Sequence, residues 1–406
     1  MKIKTGPQLH LTYCLNVHPG ESWEENFSAI KEKTLAIRDL IGGKGPFGLG
    51  LRLSYRAAQT LKDPVALEQF QEFLSAQNLY VFTVNGFPYG RFHGGPVKER
   101  VYQPDWRTSE RLEYTMLLAD ILSKILPESM PGSISSVPCS YKKWIRREGD
   151  VSLMAERLSD AAFRLAEIHE QSGRLICIGL EPEPDCLLET TEEAVSFFEG
   201  PLRTDGKRYL KKRYGLGSSG ALNIINRHLG ICFDTAHQAV QFEDLSRGLK
   251  RLLDHCISVP KVQLSAGLRL KPTGQALEKL RKFCDPVYLH QVKVKRAGGR
   301  IDSWPDLPDA LAKEASAGCE EDEWRVHFHV PLFFVEHEGL ESTSSLLTPE
   351  FAALLAAGAA PHLEIETYTY GVLPENFSRR GVVEAIVEEY GWVLKNVLEN
   401  FFDKQP

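Results

Sequence analysis

The sequence predicts an α/β fold, a closed (β/α)8 TIM barrel, within a chain of 406 residues. Eight short apolar runs are each followed by sequence of helical periodicity, a pattern typical of repeated βα units around a parallel sheet. Some of these runs end in acidic residues; for example, the run 176–180 leads directly into Glu181-Pro182-Glu183-Pro184. Because proline cannot continue a strand ladder, these carboxylates are predicted at the carboxyl edge of the barrel, where such folds keep their active sites.

The predicted barrel strands lie, in chain order, at 9–16, 46–53, 79–85, 132–137, 175–181, 229–234, 259–265 and 362–367. Ser22 and Glu25 form a capping box that opens the first helix, which extends to about Leu40. Asp63-Pro64 opens the second helix, which extends through Leu74. Further helices are predicted at 109–122, 151–171, 191–198, 243–255, 273–284, 348–357 and 381–402.

Two segments depart from the alternation of strands and helices. The stretch 86–107 is rich in glycine, proline and aromatic residues. Loops of this length inside a compact domain are usually functional, so it is predicted to be a lid or a pocket wall, with His93 and Lys98 as candidate contacts. Residues 286–331 hold two strand-like runs and are predicted to be an insertion between strands seven and eight of a single domain, 1–406.

A doubly wound open sheet is the alternative fold. That fold would require a phosphate-binding glycine turn after the first strand, and Asn16-Val17-His18-Pro19-Gly20 is not such a turn. The barrel is therefore the preferred prediction.

Composition excludes several classes of function. The net charge of -6 disfavours binding to nucleic acid, which usually requires a basic surface. The eight cysteines form no C-x-x-C pair and several lie in apolar runs, so we expect reduced thiols and a cytoplasmic location. The amino terminus has no apolar leader, and no run approaches the ~20 apolar residues of a membrane span. The expected partner is a small-molecule metabolite; a homo-oligomer and pathway partner proteins both remain open.

Four oxygen-bearing side chains fall at the ends of strands five to eight: Glu181, Asp234, Gln263 and Glu366. Adjacent barrel strands would bring them around one point. Oxygen donors of this kind suit Mn²⁺, Mg²⁺ or Co²⁺, whereas histidine ligands would favour Zn²⁺. The order of the four along the chain predicts a divalent metal site, although any one carboxylate could instead cap a helix.

The chain resembles the xylose isomerase-like TIM barrels, which include sugar epimerases, hydroxypyruvate isomerase and endonuclease IV. The resemblance lies in four motifs: Leu180-Glu181-Pro182, Asp234-Thr235-Ala236-His237, Val262-Gln263-Leu264-Ser265 and Leu363-Glu364-Ile365-Glu366-Thr367. It implies that Glu181, Asp234, Gln263 and Glu366 bind the metal and that the two glutamates serve as acid and base. It also implies that His237 contacts the substrate or a second metal.

More closely, the chain resembles the EboE metabolite-traffic proteins. This resemblance lies in the segments 10–20, 180–184 and 327–331. It implies a context in which a secondary-metabolite precursor is moved towards the periplasm, and it specifies no substrate.

Two pairs of neighbouring acids leave open which carboxylate of each pair binds the metal. Glu181 and Glu183 lie two residues apart and would face the same side of a strand, so Glu183 competes as a ligand. Glu181 is preferred because it follows the apolar run directly. Glu366 is preferred over Glu364 because Thr367 follows it, as in the family motif.

Further candidates for substrate binding are the histidines and polar residues outside the four ligands. His327 and His329 alternate along a predicted strand and so share one face, as ligands would. His10 and Asn16 lie on the first strand, where ordinary polar packing is the alternative. The basic segment 203–214 could bind an anion, although a solvated helix face is the simpler interpretation.

These features favour a divalent-metal-dependent isomerase or epimerase, or a metal-assisted hydrolase, that acts on a small polyoxygenated metabolite. The alternatives are a metabolite-binding or traffic protein without catalysis, and an endonuclease IV-like repair enzyme.

Overall fold

The computed structural model describes residues 1–3, 8–42, 45–314, 321–373 and 381–399, and the strands in these ranges form two sheets. In chain order the strands are β1 (Lys2–Ile3), β2 (Leu9–Tyr13), β3 (Phe47–Arg52), β4 (Leu79–Asn85), β5 (Gly132–Ser136), β6 (Ile176–Leu180), β7 (Leu229–Asp234), β8 (Ser258–Leu264), β9 (Ala266–Leu270), β10 (Val292–Lys295), β11 (Ile301–Trp304), β12 (Glu323–Val330), β13 (Glu336–His337), β14 (Leu340–Ser342) and β15 (His362–Ile365).

The first sheet is a closed parallel barrel. Its hydrogen-bonded order is β2-β15-β8-β7-β6-β5-β4-β3, and every neighbouring pair is parallel. A parallel bridge between Cys14 and Gly50 joins β2 back to β3 and closes the ring. The short β1 pairs antiparallel with the start of β2. The predicted (β/α)8 TIM barrel is confirmed, with all eight predicted strands in place.

The helices, in chain order, are α1 (Trp23–Ala29), α2 (Leu35–Ile41), α3 (Tyr55–Leu61), α4 (Pro64–Ala76), α5 (Ser109–Ile125), α6 (Asp150–Ser172), α7 (Thr191–Phe197), α8 (Lys207–Tyr214), α9 (Ser218–His228), α10 (Thr235–Val240), α11 (Leu245–Asp254), α12 (Gly274–Leu280), α13 (Leu307–Glu314), α14 (Pro349–Ala356) and α15 (Val382–Asn396). The predicted capping box is present, because the Ser22 side chain accepts from Glu25 N and the Glu25 side chain accepts from Ser22 N. Residues 400–402 of the last predicted helix lie outside the described residues.

The observed helices differ from the predicted ones where a π-helical segment continues an α-helix. The turn 198–206 joins α7 to α8, so the basic segment 203–214 is helical. Within it, Arg208 is 74% exposed and pairs with Asp205. Among the described helices, none combines the length and the apolar character needed to cross a bilayer.

The second sheet is antiparallel, with the order β11-β10-β12-β9-β14-β13. It extends beyond the expected insertion 286–331 on both sides, because β12 pairs with β9 directly after barrel strand β8, and β14 pairs with the other edge of β9. The pairing of β12 with β9 is irregular between Val326 and Val330, the stretch that carries His327 and His329. This insertion brings β12 to the carboxyl end of the barrel.

Candidate metal centre

Buried carboxylates and histidines converge at the carboxyl end of the barrel. Three overlapping groups each have ligand atoms within 4.8 Å of one another: His237, His327 and His329; Glu181, Asp234 and His237; and Asp234, His329 and Glu366. All six side chains are at most 4% exposed. Three of the four predicted ligands therefore lie with the three histidines in one cluster.

Asp234 combines a structural role with a place in the cluster. As the last residue of β7 it caps α10, and its Oδ1 accepts hydrogen bonds from His237 N at 2.9 Å and Ser265 Oγ at 2.7 Å. The capping bond fixes the carboxylate against the edge of the barrel. His237 lies in the first turn of the same helix, so the local D-x-x-H spacing places both residues beside one point, with His237 Nε2 3.8 Å from Asp234 Oδ1.

Gln263 connects two carboxylates through its amide nitrogen. Its Nε2 lies 3.1 Å from Glu181 Oε1 and 3.5 Å from Asp234 Oδ2, while its Oε1 accepts from Cys232 Sγ at 2.9 Å. In this orientation the amide nitrogen of Gln263 donates to the carboxylates, and its amide oxygen accepts from Cys232 Sγ. The role of Gln263 as a metal ligand stays a prediction and would require rotation of the amide.

The three histidines are all held in the same tautomer. Nδ1 of His237 lies 3.0 Å from Pro182 O, Nδ1 of His329 lies 2.9 Å from Glu366 O, and Nδ1 of His327 lies 2.8 Å from Gln291 Oε1. Since these oxygens can only accept, each Nδ1 carries the proton and each Nε2 presents a lone pair. Metal-binding histidines are typically held by such a hydrogen bond on their other nitrogen.

The lone pairs of the histidines meet inside the cluster. Nε2 of His237 and Nε2 of His329 are 3.4 Å apart, and the rings of His237 and His327 lie 4.5 Å apart in a T-shaped contact. Burial lowers the pKa of His237 to about 4 and lowers the pKa of His327 and His329, so the rings are neutral at pH 7. Two facing lone pairs repel unless a proton or a cation lies between them.

Burial and mutual repulsion also disfavour the charged form of the carboxylates. Burial and the repulsion of Asp234 hold the pKa of Glu181 well above its usual range, and burial with the repulsion of Glu181 and Asp234 does the same for Glu366. Among the described residues, the buried Glu181 Oε2 and His327 Nε2 have no hydrogen-bond partner. Leaving such groups unpaired costs about 1–3 kcal/mol each. The donor set therefore fits one or two divalent cations.

Two asparagine side chains behind the cluster donate hydrogen bonds to the carboxylate of Glu366. Its Oε1 accepts from Asn16 Nδ2 at 2.6 Å and from Asn85 Nδ2 at 3.1 Å. The amide of Asn85 is itself oriented by Phe87 N, which donates to its Oδ1 at 3.0 Å. These bonds occupy one oxygen of Glu366 and fix the direction of the other.

A buried ion pair lies one layer below the cluster. Lys261 Nζ is 2.5 Å from Glu364 Oε2, and both side chains are fully buried. Glu364 therefore pairs with the barrel's inner lysine, whereas Glu366 lies in the cluster, and its role as a metal ligand stays a prediction.

A pocket with a cavity volume of about 50 Å³ opens above these residues. Its polar floor includes Asn16, Glu181, His237, His327 and Glu366. Glu183 also lines the pocket, where Tyr102 Oη donates to its Oε1 at 2.7 Å, and burial raises the pKa of Glu183 to about 8. Both neighbouring acids therefore line the pocket: Glu181 belongs to the cluster, and Glu183 lies beside it, with its Oε1 3.8 Å from His327 Nδ1.

Two of the predicted substrate contacts lie elsewhere. His10 pairs in register with His362 at the start of β15 and contacts Tyr80 Oη through Nδ1 at 2.9 Å. Four residues of strand separate His362 from Glu366, roughly 13 Å, so His10 lies towards the opposite end of the barrel. His93 lies behind the pocket wall, where Nε2 contacts Asn16 O at 2.6 Å and Nδ1 contacts Tyr288 Oη at 3.1 Å.

Sequence reasoning did not identify several residues of the site. Asn85 ends β4 in the same way that Asp234 ends β7, so the strand-end rule could have found it. Tyr102, at the end of the short 3-10 helix Lys98–Tyr102, and Tyr368, after β15, line the pocket and carry no local sequence signal. Gln291, which orients His327, comes from the inserted segment and is evident only from the tertiary structure.

Comparisons with known proteins return solved structures of low sequence identity. No protein-family model matches the chain, and no curated protein matches it. A probable 3-DHS dehydratase, AsbF, from Bacillus anthracis is 11% identical over 96% of this chain and 99% of its own, with a TM-score of 0.48. The IOLI protein with a binding zinc atom is 10% identical over 97% of this chain and 100% of its own, with a TM-score of 0.49.

A xylose isomerase-like TIM barrel protein from Mycobacterium smegmatis, in complex with magnesium, is 12% identical over 92% of this chain and 90% of its own, with a TM-score of 0.47. Others are described as L-ribulose 3-epimerase and as an AP endonuclease of family 2 from Brucella melitensis. None of these descriptions names the EboE group. The strand order, rather than these similarities, defines the barrel of this chain.

Proposed function

We propose that this chain is a divalent-metal-dependent enzyme that isomerises or epimerises a small polyoxygenated metabolite. One observation carries the proposal. Three neutral imidazoles, each anchored through Nδ1, lie in one cluster with buried carboxylates, in which His237 is grouped with Glu181 and Asp234, and His329 with Asp234 and Glu366. A hydrogen bond of this kind on Nδ1 is typical of metal-binding histidines, and here three histidines that carry it belong to one cluster.

The residues form overlapping sets of possible ligands. Glu181 and Asp234 with His237, or Asp234 and Glu366 with His329, would hold a cation of the Mn²⁺, Mg²⁺ or Co²⁺ type, with Gln263 beside them. His237, His327 and His329 would hold a second cation, for which Zn²⁺ is suited by the nitrogen donors. A divalent cation bound here would polarise a hydroxy-carbonyl substrate and so make its adjacent C–H more acidic.

The chain's own residues would then move the proton. Glu181 and Glu366 come from strands on different sides of the cluster, and either carboxylate could remove a proton that the other returns. Asn16 and Asn85 hold Glu366 Oε1 and leave its second oxygen for this task. Glu183, with Tyr102 bound to it, could accept a hydrogen bond from a substrate hydroxyl.

The test combines elemental analysis with proton exchange. The purified chain is expected to bind one or two divalent cations, and the loaded protein is expected to exchange the C–H beside the carbonyl of at least one ketose, among fructose, tagatose and ribulose, for deuterium from D₂O. Glu366→Gln should abolish that exchange, whereas Glu243→Gln, a half-buried glutamate that accepts hydrogen bonds from Thr191, should retain it. Absence of any bound cation, or exchange that persists in Glu366→Gln, would refute the proposal.

Metal-assisted hydrolysis is a second candidate, favoured by the 3.4 Å approach of His237 Nε2 to His329 Nε2 beside the carboxylates. Two adjacent cations are a common arrangement in hydrolases. A stoichiometry of two cations per chain, with bond cleavage rather than deuterium exchange, would favour it. A chain that binds cations and metabolite without turnover would instead support the traffic role that the EboE resemblance suggests.

A further inference from the structure

One buried glutamine of the inserted segment, Gln291, lies between the metal cluster and the wall of the pocket. Gln291 directly precedes β10, whose first residue, Val292, pairs with Val326 of β12. The main-chain oxygen of Gln291 accepts a hydrogen bond from His327 N at 2.8 Å, and Gln291 is fully buried. Because this register belongs to a strand ladder, the backbone holds Gln291 beside His327.

The oxygen and the nitrogen of this side-chain amide both have partners. Oε1 of Gln291 lies 2.8 Å from His327 Nδ1, while its Nε2 lies 3.1 Å from Tyr102 Oη and 3.1 Å from Pro184 O. A glutamine amide has one acceptor oxygen and two N–H donors. The main-chain oxygen of Pro184 can only accept, so the amide nitrogen must face it. The main chain therefore fixes which way this amide points.

That orientation determines the direction of the neighbouring hydrogen bonds. Oε1 of Gln291 must accept, so His327 carries its proton on Nδ1 and keeps the lone pair of Nε2 unpartnered. Nε2 of Gln291 must donate, so Tyr102 Oη accepts from it and donates its own proton to Glu183 Oε1 at 2.7 Å. One amide thus orients an imidazole of the cluster and, through a tyrosine, a carboxylate of the pocket.

The alternative arrangements of these groups are less favourable. Glu183 Oε1 lies 3.8 Å from His327 Nδ1, which is too long for a hydrogen bond, so Glu183 does not take the place of the amide oxygen. A reversed amide would place Oε1 of Gln291 against Pro184 O, two acceptors facing each other in a buried site. Buried polar groups without a partner are costly, so the observed orientation is preferred.

We infer that Gln291 is a positioning residue through which the inserted sheet orients both sides of the site, His327 towards a cation and Glu183 towards a substrate hydroxyl. This inference rests on the proposed function, and it adds the control that the insertion exerts on the same site. Gln291 acts through His327 and Tyr102 rather than by contact with the ligands. Loss of its amide therefore weakens cation binding and substrate binding together, whereas loss of the Tyr102 hydroxyl weakens substrate binding alone.

Two near-isosteric variants of the full chain separate the two sides. Gln291→Met removes the whole amide, and Tyr102→Phe removes only the hydroxyl that donates to Glu183. The dissociation constant for Zn²⁺, measured by competition with a chromogenic chelator, should rise about 10- to 100-fold in Gln291→Met and stay within about twofold in Tyr102→Phe. At saturating Zn²⁺, KM for the ketose that the wild type exchanges should rise at least about fivefold in both variants. The control Gln241→Met, at a half-buried amide outside the pocket lining, should change neither value.

A spectroscopic measurement on the metal-free chain reports the orientation directly. In long-range nitrogen–proton correlation spectra of the histidine rings, His327 is assigned by comparison with His327→Ala. It should be a single tautomer with its proton on Nδ1, and Gln291→Met should convert it into a mixture of the two tautomers, whereas Gln241→Met should not. A merely structural role of Gln291 would lower Tm in Gln291→Met and leave the tautomer, the Zn²⁺ affinity and KM unchanged.

The outcomes distinguish this inference from the proposed function. If the wild type binds no cation but His327 loses its single tautomer in Gln291→Met, the proposed function fails and the positioning of His327 by Gln291 stands. If the wild type binds Zn²⁺ and exchanges ketose protons while Gln291→Met keeps the affinity, KM and tautomer of the wild type, the proposed function stands and this inference is overturned. Loss of only one of the two affinities in Gln291→Met would overturn the joint control of both sides.

Discussion

Replacing His237 with alanine tests the metal centre most directly, because the chain offers a close control in His228. Both histidines are buried, and each donates from Nδ1 to a main-chain carbonyl, at 3.0 Å to Pro182 O and at 2.8 Å to Ile176 O. Burial lowers the pKa of each to about 4. The two differ in what Nε2 faces, since only His237 belongs to the cluster.

The expected magnitude follows from linkage. Zinc at about 100 times its dissociation constant stabilises the native state by roughly 2.7 kcal/mol. For 406 residues, an unfolding entropy of about 2.1 cal/mol/K per residue converts this into a rise in Tm of about 3 °C. If loss of a ligand weakens binding about 100-fold, as removal of even an outer partner can, the same zinc concentration stabilises His237→Ala by only ~0.4 kcal/mol.

The assay is thermal unfolding followed by circular dichroism, with and without Zn²⁺, for the wild type and both variants. Both variants should have a lower Tm without metal, because each loses a buried ring and its hydrogen bond. Zinc should then raise the Tm of His228→Ala by about 3 °C and that of His237→Ala by less than about 1 °C. Equal zinc-induced shifts in the two variants would refute the assignment of His237 to the metal centre.

Three further predictions concern the surroundings of the site. Asn85→Ala removes a donor to Glu366 Oε1 and should weaken cation binding about 10- to 100-fold with the fold retained. Competition with a chromogenic chelator measures this affinity. An unchanged affinity would contradict the role given to Asn85. Burial raises the pKa of Glu389 from 4.5 to about 7. Between pH 4.5 and pH 7 the native state therefore binds more protons than the unfolded state. The free energy of unfolding should fall by up to about 3 kcal/mol as the pH rises from 4.5 to 7. Urea unfolding at pH 5 and pH 8 checks this, and Glu389→Gln should remove that part of the pH dependence; an equal dependence in the variant would exclude Glu389 as its source. His10→Gln should leave the dissociation constant for Zn²⁺ unchanged within about twofold, because the strand register places His10 towards the far end of the barrel; a tenfold loss would show that the two ends are coupled.

Much of the architecture could be predicted because its signals are local. The capping box at Ser22 and Glu25 and the left-handed Gly173 after α6 each depend on a few neighbouring residues, and both are present. The positions of Asp234 and His237 also depend on neighbouring residues, because a helix that starts at the end of a strand places both residues at the same edge of the barrel.

The extent of the insertion could not be predicted because strand pairing is not local. β9 follows β8 after a single residue, and its sequence is apolar in the same way as that of a barrel strand. Only its pairing with β12, more than fifty residues later, assigns it to the second sheet. The same pairing determines where His327 and His329 lie, which an alternating pattern alone could not indicate.

The sequence by itself determined the barrel, its strand order and the presence of acids at the carboxyl ends of β6, β7 and β15. Periodicity and strand-end residues can be recognised from residues close together in the sequence. Only the tertiary structure decided which polar side chains share the cluster. It placed Glu181 in the cluster with Glu183 bound to Tyr102 beside it, paired Glu364 with Lys261, and placed His10 away from the site. These outcomes depend on the register of parallel strands and on an inserted sheet, and so on contacts between residues far apart in sequence.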